Sequence, residues 1–188
     1  MLQRQPIVSA AGDIALCEGF EAVTTTRLAI ELDLSDDDVA SYFATDEALQ
    51  QSIVHAGADI FREHVTDRAD SAADGIEKLR ALMLRWVDYA EGDAYRGGFV
   101  GGAASLPAHV TEVIASIAQS WVDTLAEHAD IAVGHGTLPE GTDPRQVAFE
   151  LHGLVQEANW TFGVLGDKRA YDRARRGIEH RLGPGPGC

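Results

Sequence analysis

Apolar side chains recur at three- and four-residue spacing from one end of this chain to the other, and nowhere at the two-residue alternation that a strand requires. Ile7, Val8, Ala11, Ile14 and Ala15 set the pattern, and Gly19 stands where a first helix would close, since glycine takes left-handed backbone without a Cβ clash. Thr24, Thr25 and Thr26 supply hydroxyls that can cap a second helix running through Leu28, Ala29 and Leu32. Ser35 opens a third helix carrying Val39, Tyr42 and Phe43. Thr45, Asp46 and Glu47 open a fourth that includes Leu49, Ile53, Val54, Ile60, Phe61 and Val65. Longer helices are expected from Gly75 to Ala90 and from Val110 to about Val133. After the break at residues 135–144, Pro144 suits the first turn of a helix reaching Val155 and beyond. A last helix should run from about Lys168 to Leu182. The expectation is an all-α fold in which three short helices feed one long one, with GPGPGC, residues 183–188, as a flexible tail.

Charge narrows the function classes. Among 188 residues, 30 acidic side chains face 15 basic ones, a formal charge of -15 and a pI near 4.7. Such a chain repels polyanions unless some surface is a local exception. Cys17 and Cys188 lie far apart and form neither a CxxC pair nor a metal-ligand spacing, which fits a reduced cytoplasmic setting with Cys17 as a small core residue. No stretch approaches the roughly 20 apolar residues of a membrane span, so no membrane partner is expected.

Residues 7–49 carry a recognisable series: Gly19-Phe20, Thr24-Thr25-Thr26, Leu28-Ala29, Asp33-Leu34-Ser35, Tyr42-Phe43 and Asp46-Glu47-Ala48-Leu49, with no gap from Phe20 to Phe43. The series resembles the helix-turn-helix head of the TetR family of transcriptional regulators. Further along, Gly97-Gly98-Phe99, Trp121, Asp143-Pro144, Phe149-Glu150-Leu151-His152-Gly153, Ala158-Asn159-Trp160, Gly166-Asp167 and Arg173-Ala174-Arg175-Arg176 resemble one C-terminal branch of that family. The resemblance implies a TetR-like fold with a head over residues 1–50 and a ligand-binding and dimerisation body over 51–182. It also implies a small-molecule ligand, a homodimer made by the last two long helices, and two recognition helices spaced by the dimer on DNA. Dimer-interface candidates on the matching segment are His152, Val155, Asn159 and Trp160.

The head departs from the family pattern in charge. Ser35, Asp36, Asp37, Asp38, Ala40, Ser41, Tyr42 and Asp46 occupy the DNA-recognition positions. Where the pattern supplies Lys, Thr, Tyr and a following Lys, this chain has Asp36, Asp38, Ala40 and Asp46. Residues 1–50 hold two basic side chains, Arg4 and Arg27, against ten acidic ones. Phosphate contact works through cations that displace counterions. Two like charges about 6 Å apart repel by roughly 0.7 to 3 kcal/mol, whereas non-specific DNA binding totals only about 5 to 8 kcal/mol. Several misplaced aspartates are enough to cancel it, so ordinary operator binding is expected to be lost. Acids in a first helical turn also have a purely structural use, complementing the helix dipole.

In the body, Trp86, Tyr89, Tyr95, Phe99 and Trp121 fall at helical spacing in the segment that forms the ligand pocket in relatives, and they are the pocket candidates beside the plainer reading as core aromatics. Arg80, Arg85 and Arg96 read as solvated arginines. His55, Asp59 and Glu63 share one helix face at i, i+4, i+8 with His64 beside them. They are the only metal candidates, weaker than their reading as a polar face, and no cofactor is expected. His109, His128 and His135 stand alone. No catalytic triad, phosphate loop or nucleophilic cysteine motif is present, and the catalytic residues, if any, are not specified by the sequence. Three readings stay open: a small-molecule-binding TetR-fold protein without operator binding, a working ligand-responsive repressor, and an enzyme built on the same cavity.

Overall fold

The computed structural model describes residues 4–92 and 106–183. Every regular element among them is helical: α1 (Arg4–Glu18), a 3₁₀ turn (Phe20–Ala22), α2 (Thr25–Leu32), α3 (Asp36–Ala40), α4 (Asp46–Phe61), a π-helical turn (Arg62–Thr66), α5 (Asp67–Ala69), α6 (Ile76–Glu91), α7 (Ala108–Gly134), α8 (Pro144–Leu165) and α9 (Ala170–Leu182). The all-α expectation holds. None of the described helices is long and apolar enough to cross a membrane. The chain divides into two compact units, residues 1–60 with 98–117 and residues 61–97 with 118–188.

The first unit closes around Ile7, Ala11, Ile14, Phe20, Leu28, Val39, Phe43, Leu49 and Val110. α1 contributes the stripe anticipated from its spacing, but Cys17 is exposed rather than buried. At 100° per residue it lies about 120° from the centre of that stripe. α2 begins under two side-chain caps: Arg27 N donates to Thr24 Oγ1 at 3.0 Å, and Thr25 N donates to Asp46 Oδ1 at 2.7 Å. Asp33 closes the helix in left-handed backbone at φ 52°. That conformation is uncommon outside glycine, and aspartate tolerates it better than most residues. α3 is shorter than expected. It stops at Ala40, where the Ser41 hydroxyl donates back to Asp38 O at 2.6 Å, a local bond that competes with helix continuation. Tyr42 and Phe43 therefore follow α3 instead of belonging to it, although Phe43 is still buried.

The second unit is organised around Leu79, Leu82, Met83, Trp86, Leu125, Leu151, Val155 and Ile178. α8 starts with Asp143 as cap, its Oδ1 accepting from Arg145 N at 2.9 Å, and Pro144 in the first turn. It ends at Gly166 with φ 67°. α9 starts at Ala170, two residues later than anticipated, because Asp167 Oδ1 accepts from Arg169 N at 2.9 Å and holds the preceding turn open. α8 and α9 pack closely where α9 has no side chain: a Cβ on Gly177 would stand 2.8 Å from Leu154 Cδ2. The basic side chains of α9, read from sequence as a solvated face, in part tie the helix down. Arg175 bonds Asp88 at 2.8 Å and Glu91 at 2.6 Å, and Arg181 pairs with Glu150. Arg80 of α6 is not a free surface arginine either; it pairs with Glu179 and donates to Gly183 O. The Arg175 and Arg181 pairs are partly exposed and contribute at most about 1 kcal/mol each, so the apolar seam does most of the holding. Lys78, buried, donates to Ala69 O and Asp70 O, both at 3.0 Å, and so satisfies the carbonyls at the end of α5.

Candidate functional site

Three surfaces bear on function, each within one unit. The first is the α2–α3 pair. Ser35 and Asp38 form a reciprocal capping box: Asp38 N donates to Ser35 Oγ at 3.1 Å, Ser35 N donates to Asp38 Oδ2 at 3.3 Å, and the Ser35 hydroxyl donates to the same oxygen at 2.6 Å. These bonds, the Ser35 hydroxyl first and its backbone amide second, hold the Asp38 carboxyl below its ordinary pKa. Asp46 is engaged as the second cap of α2. Two of the four acids at recognition positions therefore have structural work to do, while Asp36 and Asp37 stand exposed in the first turn of α3. Ala40 and Ser41 are exposed, and Tyr42 is half-buried.

The basic side chains of the same unit are already occupied. Arg27 is held between Glu18 and Glu31, at 2.8 Å from each, and those hydrogen bonds, Glu18 first, raise its pKa above the ordinary arginine value. The Arg4 guanidinium carbon lies 5.0 Å from the centroid of the Phe43 ring, a cation–π contact. Residues 51–60 and 98–117 add no lysine or arginine. The acidity of the head is thus deepened by the way its two cations are spent.

The second surface is an aromatic cluster in the other unit. Phe61 meets Trp121, Trp86 and Tyr89 edge-on, at 5.0, 5.9 and 6.1 Å between centroids. Trp86 and Trp121 meet the same way at 5.5 Å, His64 lies 5.3 Å from Tyr89, and His152 lies 5.2 Å from Trp86. Edge-to-face geometry is the favoured arrangement for such rings. Trp86 is buried, whereas Phe61, His64, Tyr89, Trp121 and His152 keep partial solvent access. Burial lowers the His152 pKa and keeps its imidazole neutral. The buried Trp121 Nε1 has no hydrogen-bond partner among the described residues, although an indole N–H normally finds one. Three sequence-derived pocket candidates, Trp86, Tyr89 and Trp121, are thereby brought together; Tyr95 and Phe99 lie outside the described residues. Phe61, His64 and His152 complete the cluster. Phe61 was legible only as a core position of its helix, because its aromatic partners are distant in sequence.

The third surface is the outward face of α8. Phe149 is 71% exposed, Trp160 55% and Val164 62%, and with Gly153 they recur at helical spacing along one stripe. Leu165 adds to it at 65%. Beside the stripe, Phe149, Gly153, Leu154, Gly177, His180 and Arg181 line an open groove of about 450 Å³ between α8 and α9. Of the four dimer-interface candidates, Trp160 alone stands on this face. Val155 is fully buried in the protomer's own core, and His152 turns to the aromatic cluster. Asn159 Oδ1 lies 3.2 Å from the Tyr171 hydroxyl, which shares its hydrogen with Ala90 O at 3.1 Å. Val164 and Leu165 are exposed residues that the sequence did not single out, and Phe149 entered only through the family resemblance.

His55, Asp59 and Glu63 are all exposed, and no group of three potential ligands among the described residues is arranged to hold a metal ion.

The described residues define a class of two-unit all-α proteins, with a small capped helix-turn-helix unit and a larger helical unit containing an aromatic cluster. A family model described as tetracyclin repressor-like, C-terminal domain, matches residues 75–178, and the chain belongs to that family, the TetR family of regulators. No curated protein sequence matches the chain. Among solved structures, the chain is similar to AibR in complex with isovaleryl coenzyme A and operator DNA, with 22% identity, a TM-score of 0.72, and 96% of this chain and 98% of that one covered. It is similar to the regulator FadR from Bacillus subtilis in complex with stearoyl-CoA, at 17% identity and a TM-score of 0.78, covering 98% and 100% of the two chains. SmeT, the repressor of the Stenotrophomonas maltophilia multidrug efflux pump SmeDEF, matches at 18% identity and a TM-score of 0.77, covering 97% and 89%. At these identities the likeness is one of fold.

Proposed function

We propose that this chain is a small-molecule-binding TetR-fold protein whose head, residues 1–50, does not bind operator DNA through the phosphate contacts usual for such a helix. The body, residues 51–182, receives the ligand against Trp86, Tyr89 and Trp121, and two protomers associate through the exposed apolar face of α8. One observation carries the reading: both cations of the head are engaged within the head, Arg27 by two glutamates and Arg4 by Phe43, while the recognition positions present Asp36 and Asp37 to solvent. Freeing Arg27 for a phosphate would require breaking both of its ion pairs, and the nearby carboxylates would still repel the same phosphate. For the ligand, the support is a partly exposed ring cluster with one buried indole N–H that has no partner among the described residues, the mixture of apolar walls and few polar anchors that small-molecule sites use.

A second reading, a working repressor, has its own support. Asp33 closes the turn between α2 and α3 without glycine and the capping box is intact, so the helix-turn-helix geometry is kept. Fluorescence anisotropy of the purified protein on DNA flanking its own gene, at low salt, separates the two. The first reading expects no specific, salt-sensitive binding; the second requires it.

A further inference from the structure

A buried side-chain node in the first unit joins three chain segments. Gln50, in α4 and 6% exposed, donates from Nε2 to Phe20 O and to Val23 O, each at 2.9 Å. These two carbonyls belong to the 3₁₀ turn and the residue after it, in the connection between α1 and α2. Both amide hydrogens are thereby used. The orientation of the amide is fixed, because turning it over would set its oxygen against two carbonyl oxygens. The Oε1 atom therefore faces His109 Nε2, at 2.8 Å. An amide oxygen can only accept, so His109 must carry its hydrogen on Nε2. That donor is supplied by the Nε2–H neutral tautomer and equally by the imidazolium.

His109 stands one residue into α7, and its neighbour Val110 is fully buried in the core of the same unit. His109 thus lies in the first turn of α7. A displacement of that turn must either carry Gln50 and the two carbonyls with it or break the partly buried His109–Gln50 hydrogen bond.

We infer that the His109–Gln50 pair is the link through which the start of α7 sets the conformation of the Gly19–Thr24 connection, and with it the seating of α2. His109 is a positioning residue that acts through Gln50. The inference concerns the backbone of the head and holds whether or not that head touches DNA, so its failure and the failure of the proposed function are separate results.

Hydrogen exchange of the full-length protein, read by mass spectrometry on peptides spanning residues 19–34, tests it. His109→Leu, which removes the donor, should speed exchange there by about tenfold, and His109→Gln, which keeps an N–H donor, should restore most of the protection. Peptides of α9 should be unchanged in both variants, showing that the second unit is folded. Unchanged exchange at residues 19–34 in His109→Leu, or equal loss of protection in His109→Leu and His109→Gln, would overturn the inference.

Discussion

α3 and α8 spend their exposed surface in opposite ways. α3 is five residues long, and its exposed side chains are the acids Asp36, Asp37 and Asp38 with Ala40. α8 is 22 residues long and exposes Phe149, Trp160, Val164 and Leu165. A helix meant to lie against phosphates would be cationic and polar, and a helix meant only for solvent would be polar of either sign. α3 does not fit the first description, and α8 does not fit the second. The exposed positions of α3 are acidic where a phosphate-binding helix would be basic, and α8 carries an apolar stripe of the kind that marks a protein interface.

The largest effect should come from breaking the α8 side. Introducing aspartate at two apolar positions, Phe149→Asp with Trp160→Asp, should convert the proposed dimer to a monomer in sedimentation equilibrium, at a cost of about 2 kcal/mol or more for each aromatic anchor removed. Unchanged mass would show that α8 faces solvent. Next in size is a reversal on the α3 side. Asp36→Lys with Asp37→Lys should create salt-sensitive DNA affinity, adding about 2 to the slope of log affinity against log salt. If affinity stayed absent, charge would not be the obstacle.

Ser35→Ala removes the hydroxyl of the capping box and should lower stability in urea unfolding by about 1 kcal/mol. That result would show that these polar groups serve the fold independently of any nucleic acid. The smallest effect concerns pH. Burial holds the folded His152 imidazole neutral, with its pKa below the ordinary 6.5, so the unfolded chain binds more protons between that value and the folded one. Stability should therefore fall as pH drops below about 6.5 and stop falling from this source once the folded pKa is passed. Asp38, whose carboxyl pKa is also depressed, contributes at more acid pH, where stability is lost as pH falls from the ordinary carboxylate value through the folded one. Thermal melts of wild type and His152→Phe across mildly acid pH check the first window; equal slopes for the two proteins would rule out His152 as its source.

Local signals in the sequence were enough for most helix boundaries. Ser35, Gly166 and Asp143-Pro144 announce their caps through residues one to three positions away, and the periodicity of Ile7 to Ala15 places its stripe correctly. What stayed hidden depends on pairs distant along the chain. Asp46 reads as an acid in a first helical turn, and only the fold shows it capping α2 across 21 residues. His109 reads as solitary until α7 brings it to Gln50, 59 residues away. Val155 and Trp160 look alike as interface candidates, but five residues on a helix turn a side chain by 500°, well off the same face, so one is core and the other exposed. The charge of the head was readable as a count, whereas the spending of Arg4 and Arg27 inside it was not.

The central claim is that a TetR-family fold here carries a head unsuited to phosphate contact. Its most direct test is anisotropy of the wild-type protein on labelled genomic fragments from around its own gene, titrated from about 50 mM to about 200 mM salt, the range over which several phosphate contacts change affinity by orders of magnitude. The account predicts no sequence-specific binding at either end. Specific binding that weakens steeply across that range would contradict it.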